Sequence, residues 1–359
     1  MGVFDHEAFQ GHEQVVLCRR DDVGLTAIIA IHDTTLGPAI GGCRVAPYSN
    51  EDDALGDALG LSRAMTYKAA CAGINLGGGN AILIANPVTD KTEAMLRGFG
   101  QCVESLNGRF VASTDMGTTP ADMDVINQET DHVCGVGQHY GGSGDPSPVC
   151  AWGVFYGIKA AVTKVMGDEG LAGRRIAIQG CGSTGYQLAR YLHDEGADLV
   201  VADIDARAAE RVRHEFGAAV VDPAAIFSQP ADVFAPCAVG GTLGAATIEQ
   251  LAANVVCGSA NNPLEDEARD AEALHVRGVL YAPDFVVNAG GLISVYSEIH
   301  AAPREKAMRD TENIGVTLAR VIELAQGERI NMLTAAYRVA EERIQQVKPL
   351  ASFHLGPLE

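Results

Sequence analysis

Apolar and polar positions fall into two rhythms along the chain. From Val15 to Asp33 two β-rich runs, QVVLCRR and LTAIIAIHD, flank Asp21-Asp22-Val23-Gly24, a strand–turn–strand signal. GPAIGGCRV (37–45) reads as a glycine-rich turn. Ser49-Asn50-Glu51-Asp52 opens a helix, with Ser49 as cap, Asp52 at the capping-box position and an acidic first turn that suits the helix dipole. Leu55, Ala58, Leu59 and Ser62 keep helical spacing to about Ala70, and Gly73 marks the stop. NLGGGNAILI reads as a triple-glycine turn running into an apolar strand. A helix over about 92–106 follows, and the strand RFVAS delivers Thr114-Asp115 at its end. Thr119-Pro120-Ala121-Asp122 starts another helix, with a Thr cap, Pro at the first helical position and Asp in the capping box.

The second rhythm begins after YGGSGDPSP (140–148), a Gly/Pro/Ser cluster that predicts a hinge. A long helix over about 149–166 comes first. Strands then alternate with helices: RRIAIQG, ADLVVAD, AAVVD, ADVFAPC, NVVCGSA and GVLYAPDF. Such alternation predicts a parallel sheet covered on both faces. From about Arg304 the pattern is mostly helical. The expected fold class is α/β. The expected domains are an N-terminal α/β domain over 1–145, a doubly wound parallel-sheet domain over 146–330 and a helical tail over 331–359.

Composition adds exclusions. A chain of 359 residues, 47% hydrophobic and 20% charged, can bury large cores without staples. The net charge of −20 argues against nucleic acid and anionic membrane surfaces, which are recognised by clustered Lys and Arg. Nine cysteines are scattered among apolar residues with no C-x-x-C pair, so reduced, buried thiols are expected and no metal site is. The opening residues MGVFDHEAFQ carry no basic region followed by an apolar run, His6 breaks the myristoylation pattern, and no run of 18 apolar residues exists. A cytoplasmic protein is the expectation.

The sharpest generic motif is Gly180-Cys181-Gly182-Ser183-Thr184-Gly185. It follows the apolar strand Ile176-Ala177-Ile178, opens a helix containing Leu188, Ala189 and Leu192, and precedes a second strand that ends in Asp203, 23 residues after Gly180. That is the context of a dinucleotide-binding Rossmann fingerprint. Its glycines give a tight turn and close approach of a pyrophosphate, and the helix N-terminus supplies N–H groups and positive dipole. Asp203 can accept from the adenosine ribose hydroxyls and would repel a 2′-phosphate, which favours NAD over NADP, while nearby Arg207 works against that preference.

Six further segments carry a resemblance: GPAIGGCRV (37–45), SRAMTYKAACAGINLGGGN (62–80), STDMGTTPADMD (113–124), APCAVGG (235–241), GSANNP (258–263) and YAPDFVVNAGG (281–291). With them the chain resembles the glutamate/leucine/phenylalanine/valine dehydrogenase family over nearly its whole length, the leucine and valine enzymes most closely. The resemblance implies a substrate-binding and oligomerisation domain followed by an NAD-binding domain, with the C-terminal tail returning to the first. It also implies reversible oxidative deamination of an L-amino acid to a 2-oxo acid and ammonia, in a homo-oligomer such as a dimer or octamer. By the same resemblance Lys68 holds the substrate carboxylate and Asp115 transfers protons. Asn262 (or its neighbour Asn261) and Asn288 contact substrate or nicotinamide. Ile40, Gly41, Gly42, Met65, Ser113, Leu292 and Val295 line the substrate, and Ile204, Cys237 and Ala238 join the cofactor contacts. None of the lining residues is charged, which favours an aliphatic or aromatic substrate over glutamate.

Two positions depart from the family pattern. Its G-G-G-K motif ends here in Asn80, at the place of a catalytic lysine. Asparagine can donate a hydrogen bond but neither titrates nor carries positive charge. Cys150 stands where leucine-type members have a threonine that contacts the nicotinamide amide, and a thiol is a weaker hydrogen-bond partner. Three readings therefore stand: a branched-chain amino-acid dehydrogenase slowed by Asn80, a phenylalanine dehydrogenase, and a protein that binds NAD and an amino acid without turnover.

Overall fold

A computed structural model describes residues 2–168 and 170–350. The chain divides into two compact units. The first takes the chain up to Gly144, then Val295–Pro303, then the stretch from Ala340; the second takes Asp145–Ser294 and Arg304–Val339.

In the first unit the elements are β1 (Gln14–Arg20), β2 (Leu25–Asp33), β3 (Ala39–Ala46), α1 (Glu51–Ala72), β4 (Gly77–Ile84), α2 (Glu93–Glu104), β5 (Phe110–Thr114) and α3 (Pro120–Ile126). They form a five-stranded mixed sheet in the order β1-β2-β4-β3-β5. β1 and β2 are the antiparallel pair read from the sequence, closing at Arg20↔Leu25. β2 and β4 are also antiparallel, and β3 runs parallel to both β4 and β5. One core forms on the α2 and α3 side around Ile29, Leu83, Phe99, Phe110 and Met123, and a smaller one under α1 around Ile28, Ala58, Leu59 and Ile82.

Two glycine-rich segments expected as turns are strands. Gly41-Gly42 lies inside β3, and Gly77-Gly78-Gly79 begins β4. The reason is packing. A Cβ at Gly78 would stand 2.2 Å from the backbone nitrogen of Thr66 and 2.4 Å from the Ser62 carbonyl, so only a bare backbone lets α1 lie this close to β4. The start of α1 also moves by one residue: Asn50, rather than Ser49, caps it and accepts from the Asp53 N–H. Gly73 ends the helix in the left-handed conformation, and Thr119 with Asp122 forms the expected capping box on α3.

The later segments of this unit are tied to it by polar contacts. Glu298 accepts from the N–H groups of Gly135 (2.7 Å) and Ser143 (2.8 Å). Arg343 donates to the carbonyls of Ala69 and Ala70, at 3.1 and 3.0 Å, and to Asn75 Oδ1 at 3.0 Å, which satisfies the free end of α1.

Under α1, His32 and His12 stack edge to face with ring centroids 4.8 Å apart. His32 Nδ1 is 2.8 Å from Thr66 Oγ1. Burial pushes the pKa of His32 down to about 4, with His12 and Arg63 adding to the effect and Asp33 opposing it; burial lowers that of His12 as well. A histidine kept neutral in the fold protonates first in the unfolded chain, near pH 6.5. Stability is therefore complete above pH 6.5 and falls as pH drops toward 4, by about 3 kcal/mol for His32 at the lower limit. Thermal unfolding followed from pH 7 to 4.5 should show this fall, and His32→Gln should flatten it; equal slopes in both proteins would contradict the assignment.

In the second unit the elements are α4 (Ser147–Met166), β6 (Arg175–Gln179), α5 (Ser183–Asp194), β7 (Asp198–Ala202), α6 (Ala206–Phe216), β8 (Ala219–Val220), β9 (Ala231–Pro236), α7 (Ala245–Gln250), β10 (Ala253–Val256), α8 (Glu267–Val276), β11 (Leu280–Tyr281), α9 (Asp284–Val287), α10 (Gly290–Ile299), α11 (Arg304–Thr311), α12 (Asn313–Glu328) and α13 (Met332–Val347). The division between units falls within α10 and α13. The six strands are all parallel, in the order β8-β7-β6-β9-β10-β11. Numbered from β6, this is 3-2-1-4-5-6, the order of a doubly wound dinucleotide fold, and the order reverses between β6 and β9. α4 is the one described helix long and apolar enough to cross a membrane. Its Val149, Val154, Phe155, Ile158, Ala161 and Val162 are buried in the second unit, so it is a core helix there.

Candidate functional site

In the first unit the residues expected to hold substrate include a group on β3, β5 and α1, and Asn80 lies on the neighbouring β4. Ile40 and Gly41 are buried in β3, and Gly42 pairs across to Ser113 of β5. A Cβ built on Gly41 would stand 1.7 Å from the Gly79 carbonyl oxygen and 2.8 Å from the Asn80 Cα, so β3 presses directly on the β4 backbone at Asn80. A Cβ on Gly42 would stand 2.5 Å from Asp115 Cβ. The two adjacent glycines thus touch the two residues expected to carry the chemistry.

Asn80 is 2% exposed and pairs with Ala30 of β2; among the described residues its Nδ2 reaches the Ala81 carbonyl, at 3.5 Å, a long bond for a buried amide. Asp115 follows the end of β5 on a fixed loop. Its N–H donates to Thr118 Oγ1 at 2.8 Å, and that hydroxyl reaches the carbonyls of Cys43 and Asp115. Val45 donates to the Met116 carbonyl at 2.9 Å, and Lys91 Nζ holds both the Gly117 carbonyl (2.9 Å) and Asp122 Oδ2 (2.7 Å). Met65 and Lys68 are half-buried on α1, three residues apart and so on one side of the helix.

The sequence reading missed a cation beside Asp115. Arg44 Nε donates to Asp115 Oδ2 at 3.1 Å, and its Nη1 donates to Asp57 Oδ2 at 2.9 Å. Tyr48 also donates to Asp57. The signal was present: Arg44 is two residues after Gly42, and residues two apart in a strand share a face.

In the second unit the glycine fingerprint sits at the carboxyl end of β6, where the strand order reverses. Gly180 has φ +97°, and a Cβ there would stand 2.8 Å from the Ala238 N and the Cys237 carbonyl carbon. Gly185 packs on the Gly180 carbonyl, where a Cβ would come to 2.0 Å. Gly182 faces open space and caps α5 with no side-chain bond, so the N–H groups of the first turn, Ser183 and Thr184 among them, keep their donors for a ligand. Asp203 follows the end of β7. Its Oδ2 accepts from Cys181 N at 2.6 Å and its Oδ1 from Asp205 N at 2.7 Å, and a carboxylate has lone pairs left for ribose hydroxyls. Ile204 beside it is 96% exposed. Cys237, half-buried, and Ala238, exposed, lie past the end of β9. These residues fit a dinucleotide.

Asn288 is 2% exposed after α9. Its Nδ2 donates to Asn261 Oδ1 at 2.8 Å and to the Ser259 carbonyl at 3.3 Å, while its buried Oδ1 has no hydrogen-bond partner among the described residues. Asn262, the asparagine first expected at the ligand, has a left-handed backbone (φ 47°) and gives its N–H to Asp284. Of the two neighbours, Asn261 is the one whose side chain meets Asn288. Cys150, on α4, contacts the Asn288 carbonyl through sulfur at 3.6 Å. Leu292 is buried and Val295 half-buried on α10. Among the described residues no group of three His, Cys, Asp or Glu is placed to hold a metal.

Comparison with known proteins decides the family. Residues 12–132 match the Glu/Leu/Phe/Val dehydrogenase dimerisation domain, and residues 141–350 match the Glutamate/Leucine/Phenylalanine/Valine dehydrogenase domain. The chain belongs to the Glu/Leu/Phe/Val dehydrogenase family. It is 48% identical to a leucine dehydrogenase of Bacillus subtilis, over 97% of this chain and 95% of that one. It is 44% identical to a phenylalanine dehydrogenase of Bacillus thermotolerans, over 98% and 94%. The crystal structure of an L-tryptophan dehydrogenase from Nostoc punctiforme superposes with a TM-score of 0.86 at 47% identity, covering 94% of this chain and 97% of that one. The family comprises NAD(P)-dependent dehydrogenases.

The open space at Gly182 gives a first prediction. Gly182→Ala adds a methyl that meets nothing in the protein and intrudes where a pyrophosphate would approach the α5 N-terminus. The melting temperature should stay within about 2 °C while the dissociation constant for NADH rises about tenfold, a cost of about 1.4 kcal/mol. Calorimetry on the apoprotein and fluorescence titration with NADH measure the two quantities; unchanged NADH affinity would remove the pyrophosphate from this helix end.

Proposed function

We propose that this protein is an NAD-dependent dehydrogenase that interconverts an apolar L-amino acid with its 2-oxo acid and ammonia, at a rate limited by Asn80. The observation that carries the reading is the close approach of Gly41 to Asn80 on β4 and of Gly42 to Asp115 just past β5. Bare backbone brings a proton-transfer carboxylate and the position of the family lysine to neighbouring places. Lys68 supplies a cation for the substrate carboxylate, and Asp115 takes a proton from the attacking water or returns it. NAD, held by the Gly180–Gly185 turn, the first turn of α5 and Asp203, supplies the hydride acceptor. Asn288 Oδ1, a buried acceptor with no partner among the described residues, suits an amide or amino N–H of a ligand. Asp203 supports NAD over NADP because its carboxylate would repel a 2′-phosphate.

The apolar character of Ile40 and Met65 in the first unit supports an aliphatic or aromatic side chain. Leucine, phenylalanine and tryptophan dehydrogenases among the relatives span that range. Homo-oligomers and a cytoplasmic location go with this reading. Asn80 also supports a second one, in which the protein binds dinucleotide and amino acid without turning over.

The test is reductive amination with NADH or NADPH, excess ammonium and a panel of aliphatic and aromatic 2-oxo acids, including single-turnover runs with enzyme in excess. NADH-dependent turnover of an apolar 2-oxo acid supports the first reading and names the substrate. Tight binding of NADH and amino acid with no oxidation of NADH in a single turnover supports the second.

A further inference from the structure

We propose that Arg44 is a positioning residue for Asp115: it grips Oδ2 and so presents Oδ1 as the oxygen that takes and returns the proton. This rests on the reading of Asp115 as the proton-transfer group.

The geometry is specific. Arg44 is half-buried on β3, two residues beyond the glycine that touches Asp115. Its guanidinium uses Nε on Asp115 and Nη1 on Asp57, at 3.1 and 2.9 Å. Asp57 lies on α1 and is held in turn by the Tyr48 hydroxyl, on the segment that follows β3. Three elements are thereby tied to one carboxylate: β3, α1 and the loop after β5. The backbone of that loop is already fixed by Thr118 and Lys91. What those bonds leave free is rotation of the carboxyl group about its own side-chain torsions, and the Arg44 bond removes it. The ion pair occupies one oxygen and leaves the other, across the carboxyl carbon, outside it.

The charge arrangement fits the same role. Asp57 supplies a second anion for the single cation, so Arg44 is compensated from its other side and serves Asp115 as a clamp with fixed direction. A planar fork can span two carboxylates in one geometry; an ammonium is a point charge and cannot fix both directions. Misplacement of a reacting group by about 1 Å costs on the order of 10²-fold in rate.

The experiment uses the full chain and single-turnover oxidation of NADH with the preferred 2-oxo acid and ammonium. Arg44→Met should slow hydride transfer about 30–100-fold while the KM for the 2-oxo acid stays within about threefold, since Lys68 is untouched. Arg44→Lys should recover part of that loss. In an Asp115→Asn background, adding Arg44→Met should cost less than about threefold more, because both changes act on one group. Losses that multiply, or a KM that rises as much as the rate falls, would overturn the proposal. An Asp115→Asn protein at full rate would instead remove the underlying reading of Asp115. Where turnover is too slow to compare, a crystal structure of Arg44→Met answers: the Asp115 carboxyl group should be rotated from its present orientation, and an unmoved one overturns the proposal. Should Arg44→Met fail to fold, Asp57→Asn loosens the same clamp from its far end, with an expected three- to tenfold loss of rate; no loss counts against it.

Discussion

Replacing Asn80 by lysine is expected to raise the rate of reductive amination by about 10²–10⁴-fold, the usual contribution of a positioned acid or base. Position 80 lies inside β4, bounded by β2 at Ala30 and by the bare backbone of Gly41 on β3. An amine there can be charged, can give a proton and can polarise a carbonyl; an amide can only donate a hydrogen bond. The present side chain does not use its donor well, since its partner is its own neighbour's carbonyl at 3.5 Å. The substitution also places an ammonium at a site where Asn80 is 2% exposed, and burial disfavours the charged form. The variant should therefore gain rate and lose stability. Kinetics at saturating ammonium and urea unfolding of both chains measure the two effects. An unchanged or lower rate would mean that the chemistry here does not use position 80 as the family does.

Gly41→Ala should destabilise the first unit by about 4 kcal/mol or more, the range reached when a change forces a packed core apart. The new methyl would stand 1.7 Å from a backbone oxygen, and that oxygen belongs to the next strand, so no side-chain rotation relieves the collision. β3 and β4 must part, and with them the alignment of Asn80 and Gly42. Gly60→Ala is the control: on α1, with nothing within 4 Å of the added methyl, it should be neutral or stabilising by up to about 1 kcal/mol. Similar urea midpoints for the two variants would show that the β3–β4 contact yields easily.

What could be read in the sequence was local. The capping box at Thr119 lies within four residues, and the glycine fingerprint lies within a single strand–turn–helix unit, so each showed itself complete. The parallel strands of the second unit were legible from apolar runs separated by helical spacing. The glycines of β3 and β4 were misread as turns because what keeps them bare is far off in sequence: the Thr66 backbone for Gly78, Asp115 for Gly42. Asn50 and Ser49 are equally good caps by residue type, and only the bond that Asn50 accepts from the Asp53 N–H tells them apart. The joining of Val295–Ile299 and Ala340–Val347 to the first unit leaves no periodic mark, since each is part of a helix that starts in the second. What shows it is the pair of N–H groups on Glu298 and the carbonyls on Arg343. Arg44 was in view within a quoted motif, but its partners, Asp57 and Asp115, lie on separate elements.

The bond from Arg343 to the end of α1 has a consequence for biosynthesis. The carbonyls of Ala69 and Ala70 are made early, while the guanidinium that satisfies them is polymerised about 270 residues later. At roughly 5–20 residues per second, that is a delay of about 13–55 s. Throughout this interval the nascent first unit lacks its closing segments, and all six strands of the second unit, Arg175 to Tyr281, are made before Arg343 is. Each unit thus waits for a late stretch, the second for Arg304–Val339 and the first for the stretch from Ala340, and the first, begun earlier, waits longer with the carbonyl end of α1 left to water.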